Sequence, residues 1–265
     1  IIDMRSTIRT LFFSLFSLKT PFRIGRIKGY TRFLLNYRTD TYSNSLTTDM
    51  VERNLLLAAP LEKIKPIQYT KEFRLYLTDQ EKKDFRYYME KEGIDFARPV
   101  FLIGVTTKLL HKKWNTEFMI TTLKRILEEY KDIQMIFNYA PGYEEEDARN
   151  IYKELGCPER IKIDIQASSL RQLAALCANC SFYFGNEGGA RHIAQALEIP
   201  SFAIYSPSAY KSMWLPTNSV LARGISPDDI LPPEQQATLT YEERFALITP
   251  EKVYNQLTST LRQLG

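Results

Sequence analysis

The sequence predicts an α/β protein with parallel sheets. Two observations indicate this fold class: short runs that are apolar along their whole length, and amphipathic stretches between them. Five runs of strand length lack an alternating polar face; they cover residues 99–107, 133–139, 161–165, 181–185 and 200–206. Such runs are typical of strands buried on both faces of a parallel sheet. Amphipathic stretches separate them, as crossover helices require. We therefore predict a Rossmann-like domain over residues 98–265, after a different domain over residues 1–97.

The predicted helices carry apolar stripes, capping signals or both. Two sets of apolar residues recur at helical spacing: Met119, Leu123, Ile126, Leu127 and Tyr130 form the first, and Ala148, Ile151, Tyr152 and Leu155 the second. Gly156 can terminate the second helix. Ser169 and Gln172 have the spacing of a capping box at the start of a third helix. Pro250 favours the first position of a last helix, which we expect to pack back on the first domain.

A glycine pair, Gly188 and Gly189, ends one apolar strand and begins a helix. Glycine lets the backbone approach a ligand closely, and the free N–H groups and dipole of a helix start favour an anion. His192 in the first helical turn can add a donor. The pattern favours a phosphate site or, equally, a tight turn that merely ends the strand, because the glycines lack the spacing of the known phosphate loops.

The residues around this glycine pair resemble a family signature. Residues 187–197 read EGGARHIAQAL ahead of a proline-led strand, which resembles the Asp-(Thr/Ser)-Gly-x-x-His-(Leu/Ile)-Ala-x-Ala-Leu signature of the heptosyltransferases, glycosyltransferase family 9. Glu187 stands where the family has Asp, and Gly188 where it has Thr or Ser. The first change lengthens the reach of the carboxylate, and the second removes a hydroxyl that could bind the donor.

A second segment, residues 104–118, reads GVTTKLLHKKWNTEF. It is similar to the family's Thr-rich loop followed by Lys-x-Trp-Pro, with Asn115 in place of the proline. The hydroxyls of Thr106 and Thr107 and the cation of Lys112 would converge at the carboxyl end of a strand, where open α/β sheets bind ligands. The alternative is a solvated basic loop capped by a packing tryptophan.

The resemblance covers nearly the whole chain and is specific over residues 104–118 and 185–216. It implies a GT-B fold with two Rossmann-like domains and parallel sheets, the first domain incomplete. It also implies an inverting transfer of a sugar, by family analogy heptose from ADP-heptose, to a hydroxyl of a lipopolysaccharide core or a related glycan. The alternative is a non-catalytic nucleotide-sugar or glycan-binding protein that retains the fold.

The resemblance further implies donor-binding roles for nine residues. They would bind phosphates (Thr106, Thr107, Lys112 and Lys211), hold the diphosphate at the helix start (Gly188, Gly189 and His192) and accept hydrogen bonds from sugar or ribose hydroxyls (Glu187 and Glu144). A solvated lysine is the alternative for Lys211, and a charged first helical turn for Glu144. We expect no metal and no other cofactor, because Lys112 and a helix N-terminus can neutralise a leaving diphosphate. Cys177 and Cys180 lack the second ligand pair of a zinc site.

The N-terminal region is strongly basic. Residues 1–38 carry eight Arg and Lys against one acid, Asp3, although the net charge of the whole chain is +4. A solvated surface or an acidic partner can explain this concentration, and no nucleic-acid-binding motif accompanies it. The resemblance implies an anionic lipopolysaccharide-core acceptor at the membrane, which Arg5 and Arg9 would bind from one face of a helix.

Residues 11–18 are the most apolar stretch of this region. They are far fewer than the roughly 20 residues of a membrane span, so we predict a core-facing helix rather than an interfacial anchor, and no transmembrane segment. No signal peptide is visible, and three cysteines favour a reducing compartment. A cytoplasmic location is expected, with a peripheral position at the inner membrane left open.

The sequence does not name a catalytic base. Transfer needs a group that takes the proton of the attacking hydroxyl. In the family this role falls to an Asp after the first strand, and the resemblance begins partway through the family's first domain. We therefore expect the base upstream of Ile1, and predict that Asp3 is a structural capping carboxylate at the end of a strand.

Overall fold

The computed structural model describes residues 1–40, 49–215 and 219–264. The described residues form two compact units, with a boundary after Phe73 and a short segment from Ser212 that returns to the first unit. Pro216, the last residue of the family-like segment 185–216, lies outside the described residues.

The first unit contains a three-stranded parallel sheet in the order β1-β2-β3. Its strands are β1 (Ile2–Asp3), β2 (Ile24–Arg26) and β3 (Tyr37–Thr39). Its α-helices are α1 (Ile8–Leu15) and α2 (Met50–Leu55), and its 3-10 helices are Gly29–Phe33 and Leu56–Lys63.

Asp3 ends β1 and caps the turn that follows. Its Oδ1 accepts from the backbone N–H of Ser6 at 2.7 Å, and its Oδ2 accepts from the Thr10 hydroxyl at 2.6 Å. The residue is buried. The prediction of a structural capping carboxylate is confirmed.

Helix α1 differs from the predicted core-facing helix. Among its residues only Leu11 and Ser14 are buried, whereas Phe13 is 70% exposed and Phe16, its C-cap, 85%. A helix packed on a sheet buries one stripe, and consecutive apolar residues point around the whole helix. The prediction therefore failed because a run of apolar residues is not a stripe.

Arg5 and Arg9 do not share a helical face. Thr7 is the N-cap of α1, with its hydroxyl accepting from the Thr10 N–H, so the helix begins at Ile8 and Arg5 lies in the bend before it. Both arginines are exposed. The prediction of a shared face is wrong because the Asp3 turn occupies the residues that would have extended the helix.

The second unit contains a six-stranded parallel sheet in the order β6-β5-β4-β7-β8-β9. Its strands are β4 (Val100–Gly104), β5 (Gln134–Phe137), β6 (Ile161–Lys162), β7 (Phe182–Asn186), β8 (Ser201–Ile204) and β9 (Ala222–Ile225). The five predicted strands are all present. The sixth, β9, was missed because its four residues include the exposed Arg223 and a glycine.

The α-helices from Arg74 onward lie between and after these strands. They are α3 (Asp79–Lys91), α4 (Thr116–Glu129), α5 (Tyr143–Glu154), α6 (Leu170–Ala178), α7 (Gly189–Ala196), α8 (Lys211–Trp214), α9 (Tyr241–Ala246) and α10 (Pro250–Leu264). Short 3-10 helices cover Leu110–Lys112, Pro227–Asp229 and Pro233–Gln236.

The boundary between the units lies 24 residues before the predicted one, which we placed after residue 97. The reason is α3, which packs against α6. Its buried Phe85 and Met89 belong to the core of the second unit. Nine of its 13 residues are charged or carry an amide, so the sequence showed little of the apolar stripe that ties it to that core.

Both faces of the second sheet are covered. Alternate residues of β4 divide between two cores: Phe101 and Ile103 pack with side chains of α4 and α10, and Val100 and Leu102 with those of α3, α6 and α7. This is the doubly wound arrangement that the α/β prediction requires. Helix α10 contacts α4, β8 and β9; its predicted packing on the first domain stays a prediction.

Two of the three local capping signals are confirmed outright. Gly156 ends α5 with a φ of +82°, and Pro250 begins α10. Ser169 caps α6, with its hydroxyl accepting from the Gln172 N–H at 3.2 Å. The Gln172 side chain, however, accepts from the N–H of Ser168 at 2.9 Å, so the reciprocal bond of a capping box reaches one residue further back.

In the parts of the chain that the structure describes, no helix combines the length and apolarity needed to cross a membrane.

Candidate active site

The strand order creates a crevice between β4 and β7. The chain runs from β4 outward through β5 and β6, then returns to the other side of β4 with β7. At such a reversal the loops leave the carboxyl ends of neighbouring strands in opposite directions, and ligands bind in the gap. A cavity of about 690 Å³ lies there, a volume in the usual range for small-molecule sites.

The cavity brings together eight of the nine predicted donor-binding residues. They are Thr106, Thr107, Lys112, Glu144, Glu187, Gly188, Gly189 and His192. They come from the loop after β4, the start of α5 and the junction of β7 with α7. All of them belong to the second unit.

Lys211, the ninth, lies elsewhere. Its ammonium group pairs with Asp229 and lies 3.4 Å from the carbonyl oxygen of Gly224. It does not line the cavity. The short strand β9, which the sequence reading missed, supplies Gly224 and leads to Asp229, so nothing in the predicted elements indicated this pairing.

The glycine pair begins α7 as predicted, with Gly188 as N-cap. Gly188 has an extended backbone, and neither glycine has an atom within 4 Å of the place where a Cβ would lie. Steric crowding therefore does not require these glycines in the free protein. What they leave is open space in front of the helix N-terminus, whose free N–H groups suit an anion.

Glu187 is a buried carboxylate that contacts two other predicted site residues, Lys112 and His192. It is 6% exposed, its Oε2 lies 3.2 Å from Lys112 Nζ, and its Oε1 lies 3.6 Å from His192 Nε2. Burial acts to raise the pKa of Glu187, but the contact with His192 and the charge of Lys112 outweigh it, and the pKa lies below its usual value. The carboxylate is therefore ionised and paired with the two groups predicted to bind phosphate.

The second acid of the cavity, Glu144, has a neutral partner. It lies in the first turn of α5, is 8% exposed, and accepts from the Thr106 hydroxyl at 3.1 Å. The Thr107 hydroxyl is nearer to solvent, with a long contact of 3.4 Å from the Leu109 N–H. The Thr-rich loop and the start of α5 thus form one hydrogen-bonded wall.

Asn186, which the sequence reading missed, joins the two predicted segments. It is 2% exposed. Its Oδ1 accepts from the Trp114 N–H at 2.8 Å, and its Nδ2 donates to the carbonyls of Gly104 and Val105 at 3.0 and 3.1 Å. A carboxamide at the end of a buried strand and directly before an acid was the signal that could have indicated this role.

Trp114 anchors the loop that carries Lys112. Its side chain is 1% exposed, its indole N–H donates to the Ile248 carbonyl at 2.9 Å, and its ring packs edge-on against Phe118. The next residue along the loop, Asn115, caps α4 through its side chain. This replaces the proline of the family signature with another residue that favours a helix start.

Arg191 is a second residue that the sequence reading missed. It is fully buried in the first turn of α7, where its guanidinium contacts His192 and Gln195. Burial of a cation beside a helix N-terminus is unfavourable, and the contact with His192 places this positive charge directly behind the cavity residue His192. It adds to the field of Lys112 and of the helix dipole.

Cys177 and Cys180 are both buried free thiols. Burial raises the pKa of Cys177 to about 12 and that of Cys180 well above its usual value. Within residues 1–40, 49–215 and 219–264, no cluster of three or more His, Cys, Asp or Glu side chains is arranged to hold a metal ion.

The fold of the chain is that of heptosyltransferase structures. An E. coli ADP-heptose lipopolysaccharide heptosyltransferase II matches 99% of this chain over 76% of its own, with 20% identity and a TM-score of 0.70. A family 9 glycosyltransferase from Veillonella parvula matches 99% of this chain and 73% of its own chain, with 15% identity and a TM-score of 0.76. E. coli heptosyltransferase WaaC, in a structure with ADP-2-deoxy-2-fluoro heptose, matches 89% of this chain and 64% of its own chain, with 15% identity and a TM-score of 0.55.

A sequence comparison with curated proteins gives no match. The sequence model of glycosyltransferase family 9 (heptosyltransferase), in contrast, matches residues 1–224. That range includes both signature segments and all eight of the predicted donor-binding residues that line the cavity. The chain therefore belongs to glycosyltransferase family 9, the heptosyltransferase family, and is a glycosyltransferase.

Proposed function

We propose that the protein transfers a sugar, with inversion, from a nucleotide-sugar to an anionic lipopolysaccharide-core or related glycan acceptor. One observation carries the donor half of this proposal: Lys112, His192 and the N-terminus of α7 converge on one cavity at the crevice between β4 and β7. A diphosphate is the ligand whose charge and shape suit a cation, an imidazole and a row of free N–H groups. The E. coli WaaC structure holds an ADP-sugar analogue, which agrees with this choice.

The proposed chemistry needs the negative charge of the leaving diphosphate to be stabilised. Preorganised donors aimed at developing charge are usually the largest contribution to such a step. Lys112 and the first turn of α7 supply them here, so we propose that no metal is required. We assign no residue of the chain as the base that deprotonates the acceptor.

The donor site makes a testable prediction through Lys112 and His192. Replacing either residue by alanine should weaken binding of ADP or an ADP-sugar by about 1–3 kcal/mol, because each change removes one donor to a charged group. Isothermal calorimetry on the purified chain measures this directly. UDP and GDP, titrated in parallel, identify the preferred nucleobase of the donor.

Lys113 provides the matched control. It is the same residue type in the same loop, but its ammonium group pairs with Asp147 at 2.6 Å and does not line the cavity. Lys113→Ala should change nucleotide affinity by well under the roughly 1 kcal/mol of a lost hydrogen bond, because its ammonium group lies outside the cavity. Equal losses at Lys112 and Lys113 would contradict the proposed site.

The acceptor half of the proposal rests on the basic surface of residues 1–38. Arg9 is exposed on α1, so its contribution should be electrostatic and screened by salt. In a binding assay with an anionic glycan acceptor, we expect Arg9→Glu to raise the Kd of the acceptor several-fold and to leave the Kd of the nucleotide near wild type. A parallel rise in both Kd values would instead indicate a folding defect.

A further inference from the structure

The carboxylate of Glu187 occupies the groups that the proposed diphosphate needs. Lys112 Nζ and His192 Nε2 lie 3.2 and 3.6 Å from its two oxygens. With 6% of its surface exposed, Glu187 has little water to replace these partners. In the free protein the phosphate-binding groups are thus already balanced by an internal anion.

A bare nucleoside diphosphate would disturb this balance. Its phosphates compete for Lys112 and His192, and they bring negative charge close to a buried carboxylate. A buried charge that loses its partner is strongly unfavourable, and a like charge nearby adds to the penalty. Part of the affinity gained by the diphosphate is therefore lost at Glu187.

A nucleotide-sugar differs because it carries hydroxyl groups next to the diphosphate. An ionised carboxylate has only acceptor sites, and a sugar hydroxyl is a donor. A hydroxyl placed at Glu187 restores a hydrogen bond to the carboxylate as Lys112 and His192 turn to the phosphates. The displaced acid then has a partner that the bare diphosphate cannot offer.

We propose that Glu187 is a specificity-determining residue that makes the site favour the intact nucleotide-sugar over the nucleoside diphosphate that remains after transfer. This inference rests on the proposed donor site. Its physical basis is competition: the longer glutamate, in place of the family's aspartate, reaches the two donors that the diphosphate must take over. Release of the spent nucleotide is thereby assisted by the return of Glu187 to Lys112.

Glu144 shows that this behaviour is specific to Glu187. It is buried to the same degree in the same cavity, but its hydrogen-bond partner is the neutral hydroxyl of Thr106. A diphosphate therefore takes no cation from Glu144. The competition depends on the ion pair rather than on the mere presence of an acid.

The test compares two ligands on three variants by calorimetry. The probes are ADP and ADP-heptose, with UDP and UDP-glucose in parallel. The variants are Glu187→Gln, which removes the charge, Glu187→Asp, which keeps the charge but shortens its reach, and Glu145→Gln as control. Glu145 pairs with Arg149 and lies outside the cavity, so the control changes the net charge of the chain equally.

We expect Glu187→Gln to bind ADP about tenfold more tightly than wild type, a gain of about 1.4 kcal/mol, with no gain for ADP-heptose. Glu187→Asp should show a smaller gain for ADP, and Glu145→Gln none. The inference is overturned if neither Glu187 variant tightens ADP, or if the control tightens it equally. Wild-type protein that binds no nucleotide of either series would overturn the proposed function itself, which separates the two failures.

Discussion

Replacing Gly185 by alanine should destabilise the protein by about 3–5 kcal/mol, the sum of backbone strain and a steric clash. Gly185 has a φ of +142°, a backbone conformation that residues other than glycine rarely adopt. A Cβ on it would lie 2.6 Å from the backbone nitrogen of Gly104, its partner in the sheet register. Because the obstacle is the backbone of a central strand, no side chain can move aside to relieve it.

Gly188 is the matched control, three residues further along. The same substitution there meets open space and an extended backbone, so Gly188→Ala should cost only what alanine loses to glycine at a helix N-cap, about 1 kcal/mol or less. Urea unfolding followed by fluorescence measures both variants. Equal losses at the two positions would mean that the close approach of β4 and β7 at Gly185 is not rigid.

This contrast shows what the sequence did and did not reveal about the glycines. The pair Gly188 and Gly189 was predicted to matter because it begins a helix, and the structure places it at the cavity. Gly185 looked like the last residue of an apolar strand. Its importance comes from Gly104, which lies 81 residues earlier in the chain, and no local pattern reports a contact across a sheet register.

The fold was predictable where one local signal sufficed. Buried parallel strands are apolar along their whole length, so β4, β5, β6, β7 and β8 were all recognisable. The predictions failed where contacts between distant segments determine which residues are buried. The polar sequence of α3 hides its two core residues, and the apolar run of α1 does not tell which face is covered.

The candidate site was predictable to the extent that a motif lists residues. Eight predicted residues line one cavity, because both motifs follow neighbouring strands of a parallel sheet whose carboxyl ends meet. The pairing among them was not predictable. Neither the ion pair of Glu187 with Lys112 nor the pairing of Lys211 with Asp229 follows from spacing, since each joins segments that only the folded chain brings together.

Asn186 bonds groups that lie 72 to 82 residues away in the chain, and its replacement has an expected effect as large as that of Gly185. Asn186→Ala should lower the free energy of unfolding by about 3–5 kcal/mol, because it leaves the Trp114 N–H and the carbonyls of Gly104 and Val105 without their buried partner. Each unsatisfied buried group costs about 1–3 kcal/mol. Nucleotide affinity should fall as well, since the Trp114 loop positions Lys112. Urea unfolding and calorimetry measure the two effects.

Asn186→Asp separates hydrogen bonding from shape. The new side chain is isosteric, and one oxygen can still accept from the Trp114 N–H, but the other faces two carbonyl oxygens where Asn186 donates. Burial and these oxygens should raise the pKa of the introduced carboxyl above the value of about 3.9 in the unfolded chain. The folded protein then binds the proton more tightly than the unfolded chain does. The loss of stability is therefore full above the folded pKa and shrinks as the pH falls through it.

The protonated acid has a hydroxyl that can donate to one of the two carbonyls, which is why stability should return. Measured against wild type at each pH, Asn186→Asp should lose less free energy of unfolding at pH 5 than at pH 7. Asn186→Ala, which has no titrating group, should lose the same amount at both. If the aspartate variant shows no such dependence, the two carbonyls are not what Asn186 holds in place. The link between the β4 loop and β7 would then depend on the Trp114 contact alone.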